Sequence, residues 1–277
     1  MKKAVLGLAL LGALGLLWVV LPTSHPAKTD QAEAQPSVLD RVEKTGNIRC
    51  GYWIYEPYIS KDPNTGKMSG LTVDYLEQTA ARVGKKIVWD IEVGFDQILP
   101  AINYNRIDMF CVPCSPNDDF RKQFDFAGSF GKLPYYLYVA KNSTITKAQM
   151  QTARFAVMDG YLTSPKTLEY FPKSTITSLP QTSSLADLYN HLKYGKVDVL
   201  LNEHLSALNY MRNNPDVVRR YEDTPVFTAT MSFPNKKGDT RWGAFVQQMT
   251  DTTTPENRAL FINFLKKYNV SEDALIP

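Results

Sequence analysis

The chain has 277 residues, 44% of them hydrophobic and 21% charged, enough apolar material for ordinary cores and too much for bulk disorder. Its formal net charge is +3, and Lys2 and Lys3 supply two of the positive charges. A chain so near neutrality lacks the electrostatic footprint of a nucleic-acid-binding protein.

Met1-Lys2-Lys3 is followed by an uncharged apolar run from Ala4 to Leu21. A short basic segment before an apolar one is the anatomy of a secretory signal. The run also approaches the length that crosses a bilayer. The small-residue pattern Ala32-Glu33-Ala34 lies well downstream of it, so residues 1–22 read either as a cleaved signal peptide or as a retained membrane anchor. No Cys follows the run closely, which argues against a lipidated form. Both readings put the folded part outside the cytoplasm, on the periplasmic or extracellular face of the membrane. Residues 23–37 turn polar with Pro and Ala, and read as a linker.

From Val38 onward, strand-like and helix-like segments alternate, the pattern of an α/β protein. Ile48–Tyr52 is a short strand, and Asp62–Lys67 is built of turn residues. A helix is expected over about Thr72–Val83, with Val73, Leu76, Ala80 and Val83 on one face and Gly84 as its stop. Ile87, Trp89, Ile91 and Val93 alternate as a strand; Phe95–Tyr104 reads as a helix and Ile107–Val112 as a buried strand. The second half repeats this logic. Arg154–Met158 is a strand, Gly160–Ser164 a loop, and Ser184 with Asp187 a capping box for a helix with Leu185, Leu188 and Leu192 facing inward. Val197–Leu201 is a buried strand, followed by a helix near Leu205–Arg212 and a strand over Val226–Phe233. Trp242, Phe245, Val246 and Met249 mark one C-terminal helix, and Thr254-Pro255-Glu256 opens another.

The three cysteines are Cys50, Cys111 and Cys114. In an oxidising compartment any two of them could pair. Cys111-Val112-Pro113-Cys114 has the spacing of a redox motif without a thioredoxin context, and no second pair is present to complete a zinc site. No metal and no cofactor are expected.

The order of these segments resembles family 3 of the bacterial extracellular solute-binding proteins, the polar amino-acid type. The resemblance is carried by Leu39–Arg49, Glu56-Pro57-Tyr58, Gly70–Tyr75, Phe95–Ile102, Arg106-Ile107-Asp108, Gln123–Phe126 and Gly195–Leu201, seven segments in the family's order. It implies the two-lobed periplasmic binding protein type II fold, with two crossover strands and a closing motion like a flytrap. The first lobe would comprise 38–136 and 233–277, the second 139–228, with hinges at 137–138 and 229–232. The implied partners are a small-molecule solute and the permease of an ABC transporter; a monomer is expected.

By the same resemblance, Tyr52, Tyr55 and Phe95 stand where the family places polar or stacking groups against its ligand. Pro113 and Ser115 stand where a carboxylate is held. The family's carboxylate-gripping Arg falls on Phe120, which cannot form a bidentate fork. Arg121 is next to it, but one step along a helix turns the side chain by roughly 100°. Gly160, Tyr161 and Thr163 belong to the second-lobe loop that meets the ligand. Asn202 and Glu203 stand where a polar residue and an amine-pairing acid are found. An acid among aromatics, without the Arg, favours an amine-bearing, cationic or aromatic solute through cation–π contacts. A plain zwitterion would leave its carboxylate poorly compensated.

Two rival readings use the same clamp: a sensory receptor without transport, and a periplasmic dehydratase-type enzyme. Catalysis needs positioned acid–base groups. His191 lies in an amphipathic helix, His204 follows Glu203, and no nucleophile elbow, HExxH motif or phosphate loop is present, so the chain reads as a binding protein and not as an enzyme.

Overall fold

The computed structural model describes residues 36–277; the apolar run and most of the predicted linker lie outside them. Ser37 opens α1 (Val38–Thr45) with a capping box, its hydroxyl accepting from the Leu39 N–H while Asp40 accepts from the Ser37 N–H. β1 (Asn47–Tyr52) follows, then the short hairpin of β2 (Ser60–Lys61) and β3 (Met68–Ser69) around the Asp62–Lys67 turn. α2 (Leu71–Arg82) buries Val73, Leu76 and Ala80. Val83, expected on that face, is instead the C-cap and 38% exposed, because the helix ends one residue before it.

β4 (Lys86–Glu92) and α3 (Phe95–Asn103) lie where expected. Only Met109–Phe110 pairs as β5, although all of Ile107–Val112 is buried. α4 (Asp118–Gln123) is capped by Asn117 and runs into β6 (Phe124–Ala127). The long β7 (Lys132–Ala140) leads to α5 (Lys147–Met150), β8 (Arg154–Met158), α6 (Thr163–Tyr170) and β9 (Thr175–Leu179). Helix α6 therefore starts inside the segment expected as loop. α7 (Leu185–Lys193) carries the predicted Ser184–Asp187 box and buries Leu188, Tyr189 and Leu192, while Leu185 stays half-buried.

β10 (Leu200–Glu203), α8 (His204–Asn213), β11 (Val218–Arg220) and β12 (Phe227–Thr230) come next. Expected as one strand over Val226–Phe233, this last region breaks at Met231-Ser232 into β12 and β13 (Phe233–Lys236), which belong to different sheets. α9 (Thr240–Thr250) and α10 (Pro255–Lys267) complete the chain, the latter with Pro at its first turn.

Two sheets organise these elements. The first has the order β4-β1-β5-β13-β6, parallel from β4 to β5 and antiparallel where β13 enters between β5 and β6. In the second, β7 pairs with β10, β11 and β12, all antiparallel; β8 and β9 form a parallel pair.

One electrostatic device recurs in both halves. Asp108, 1% exposed, pairs with Arg41 and, at 2.9 Å, with Arg49 on β1, while its N–H donates to the Arg49 carbonyl. Asp198 pairs at 2.6 Å with Arg154 on β8 and its N–H donates to the Arg154 carbonyl. Each acid joins a helix-to-strand turn to the neighbouring strand. The buried Asp108 depends on that pairing, since an uncompensated charge there would be costly. Cys50 and Cys111 form a buried disulfide joining β1 to the residue after β5, and Cys114 keeps a free thiol whose pKa is pushed well up by burial.

Candidate functional site

The loop after β1 folds back on itself. The Tyr55 N–H donates to the Ile59 carbonyl, and the Tyr58 and Ile59 N–H groups donate to the Tyr55 carbonyl. This turn stacks the Tyr55 ring on Tyr58 at 5.3 Å and 8°. Trp53, just upstream, stacks against Tyr161 at 6.5 Å and 13° and touches Phe110. A positive φ of 78° at Gly160 turns the second loop toward these rings, and a Cβ there would meet Gln181 Nε2 at 2.6 Å.

Glu203 ends β10 opposite Tyr135 of β7 and caps α8. Its carboxylate accepts from Leu205 N at 2.7 Å and Ser206 N at 2.9 Å, and from the Tyr55 hydroxyl at 3.3 Å. It is 2% exposed. Burial pushes its pKa up, and the hydrogen bonds it accepts pull it partway back. Burial and then the charge of Glu203 push the Tyr55 and Tyr58 hydroxyls far up, so both stay protonated donors. The Tyr58 hydroxyl is buried without a hydrogen-bond partner.

Beside Tyr55 lies an inner cavity of about 60 Å³. Of the expected site residues, Tyr55, Pro113, Ser115, Phe120, Gly160 and Tyr161 line it together. Phe120 packs on Phe124 and Phe126, an apolar setting in keeping with the missing Arg. Trp53, Tyr135 and Met231 also line the cavity, and sequence reasoning missed them. Trp53 stands two residues before Tyr55, directly after the strand, where an aromatic could have been flagged; Tyr135 and Met231 sit in apolar strand runs that carry no such signal.

The other expected residues fall elsewhere, and Glu203, buried at the cap of α8, lines none of these pockets. Arg121 lines a separate pocket of about 410 Å³ with Lys166, Ser115 and Leu162. Tyr52 is buried edge-on to Trp89, and its hydroxyl accepts from Lys61 at 3.2 Å; it lines none of these pockets. Thr163 is buried at the start of α6, its carbonyl accepting from Thr167. Asn202 is buried, donating to the Tyr189 hydroxyl and accepting from the Glu203 N–H; it positions Glu203 and does not reach a pocket. Phe95 opens α3, and its side chain lies outside the described residues. His204 is buried between the Tyr138 hydroxyl and Arg220, away from the cavity. A larger cleft of about 600 Å³ adjoins the inner cavity, sharing Trp53, Tyr55 and Tyr161 with it. Its volume lies in the range of small-molecule sites.

Comparison with known proteins matches this chain to the model of bacterial extracellular solute-binding proteins, family 3, over residues 48–260. A probable histidine-binding protein of Campylobacter jejuni is 27% identical over 172 residues, 61% of this chain and 64% of that protein. The chain thus spans slightly less than two thirds of that relative's length. A probable amino-acid ABC transporter-binding protein of Haemophilus influenzae is 23% identical over 184 residues, covering 65% and 68% of the two chains. Among solved structures, a cysteine-binding protein from Campylobacter jejuni superposes with a TM-score of 0.70 at 15% identity, covering 86% of this chain and 96% of that one. That likeness carries the two-lobed type II periplasmic binding fold.

Proposed function

The chain belongs to the bacterial extracellular solute-binding proteins, family 3, and we propose that it is the extracytoplasmic substrate-binding component of an ABC transporter. It captures a small amino-acid-like, amine or aromatic solute by closure of two lobes and presents it to a membrane permease as a monomer. The lobes are residues 38–136 with 233–277, and 139–228, hinged at 137–138 and 229–232. The break between β12 and β13, which sends consecutive strands into different sheets, supports a crossover near the second hinge. The family's extracellular setting and the N-terminal apolar run support export; among the described residues no helix is long and apolar enough to cross a membrane.

The observation that carries the reading is a cavity walled by Trp53, Tyr55, Tyr135 and Tyr161, with Glu203 buried behind it and bonded to the Tyr55 hydroxyl. Aromatic faces attract a cation by about 0.5–2 kcal/mol each, and the adjoining larger cleft is lined by the carboxylates of Glu56, Glu92 and Asp96. The larger cleft is lined by Glu56, Glu92 and Asp96 from the proposed first lobe and by Gln181, Ser184, Ser206 and Asn209 from the proposed second, so a bound solute would touch both and favour the closed form by its differential contacts.

A thermal-shift screen of amino acids and amines, followed by calorimetry, tests this. A binder should raise the melting temperature, and the rise should continue logarithmically as its concentration exceeds the dissociation constant. If no amino acid, amine or aromatic solute binds, the transport reading fails.

A further inference from the structure

We infer, resting on the solute-binding reading above, that the site is polarised from end to end and takes an elongated dipolar solute, its cation facing Glu56, Glu92 and Asp96 and its anion facing Arg121 and Lys166. Among the described residues the larger cleft is lined by those three carboxylates and by no Lys or Arg. The pocket of about 410 Å³ is lined by Arg121 and Lys166 and by no Asp or Glu. Between them sits the inner cavity, which among the described residues has no charged lining residue. It shares Trp53, Tyr55 and Tyr161 with the acidic cleft, and Ser115 and Leu162 with the basic pocket.

None of Glu56, Glu92 and Asp96 forms an ion pair among the described residues, and neither does Arg121; Lys166 is paired with Glu169 at 2.7 Å. An inner cavity of about 60 Å³ accommodates about one or two waters' worth of solute. Both charged ends of a solute therefore cannot reside there. A short stretch of apolar stem fits the aromatic centre, while the charges reach the pockets of opposite sign. Opposed fields in low-dielectric walls also orient the solute before it docks.

Four probes separate the elements of this proposal: 6-aminohexanoate (both charges on one stem), hexylamine (cation only), hexanoate (anion only) and L-serine (a compact zwitterion). Each is titrated by calorimetry at low salt into the wild type, Glu92→Gln/Asp96→Asn, and Arg121→Gln/Lys166→Gln, with circular dichroism and melting curves confirming the fold of each variant. The expected result is tightest binding of 6-aminohexanoate, weakened about tenfold by each double variant, an effect of one charge contact. Hexylamine should respond only to the acidic pair, and hexanoate only to the basic pair. Tighter binding of L-serine overturns the inference while leaving the solute-binding reading standing; so does 6-aminohexanoate binding that neither variant moves. If none of the four binds but another solute of the wider panel does, the inference again falls alone. If nothing in either panel binds, the solute-binding reading falls and takes the inference with it.

Discussion

The Tyr55 hydroxyl donates to Glu203 Oε1 at 3.3 Å, joining the loop after β1 to the N-terminus of α8 across 148 positions of sequence. Glu203 is at once the helix cap and an acid bonded to this aromatic cluster. Tyr55→Phe removes one of the hydrogen bonds that Glu203 accepts and leaves its two backbone donors. The unfolding free energy should fall by about 0.5–1.5 kcal/mol, the usual net value of one such bond. Urea denaturation checks this, and an unchanged midpoint would show that the bond contributes nothing.

Glu203 also makes stability depend on pH. Its folded-state pKa is raised above 4.5 by burial, so the folded chain holds the proton more tightly than the unfolded chain. The folded form therefore loses relative stability as pH rises from 4.5 through the folded value. Glu203→Gln cannot titrate and should lack that falling limb, whatever its stability in acid. Urea midpoints from pH 4.5 to 7 should show a shallower profile for the variant; identical profiles would count against this role.

His204, the next residue, has the opposite sign. Burial, reinforced by the Arg220 guanidinium, lowers its pKa from 6.5 to about 4. The unfolded chain then binds the proton first, so the stabilisation is complete above 6.5 and is lost as pH falls from 6.5 toward 4. His204→Gln should flatten the acid limb of the stability profile. An acid limb as steep as that of the wild type would assign the effect to another group.

The Cys50–Cys111 disulfide closes a loop of 61 positions. Removing it with Cys50→Ala/Cys111→Ala should cost about 2–4 kcal/mol, read from denaturant midpoints under oxidising conditions. Equal stability of the double variant and the wild type would contradict a structural role.

Much of the fold was legible because its signals are local. The Ser184–Asp187 capping box, the apolar period of α2 and the turn at Asp62–Lys67 are set by neighbours in sequence, and each stands where those neighbours put it. The break at Met231-Ser232 was not legible. Val226–Phe233 is an unbroken strand-like run, and only pairing with β7 on one side and with β5 and β6 on the other divides it. Which cysteines pair was likewise a tertiary matter, decided by β1 lying beside β5.

The site divides along the same line. Tyr55 and Tyr161 were found through their places in family-like loops, and they converge on one cavity. Asn202 matched its motif equally well but turns to Tyr189 and to the Glu203 backbone. Matching a motif position fixes where a residue's backbone lies, whereas its side chain follows whatever partner is near. Arg121 illustrates the cost of a one-residue offset: it lines the pocket next to the one that Phe120 lines.

The most direct test of the account is calorimetric titration of the amino-acid and amine panel into the wild type, Tyr55→Ala and Tyr161→Ala. The account predicts at least one solute binding at micromolar dissociation constant or tighter, about −8 kcal/mol, and a loss of about tenfold or more in each variant, within the range of removing one ring from a cation–π contact. Submicromolar binding of a plain α-amino acid, unmoved by these substitutions and by Phe120→Ala and Arg121→Ala, would contradict it.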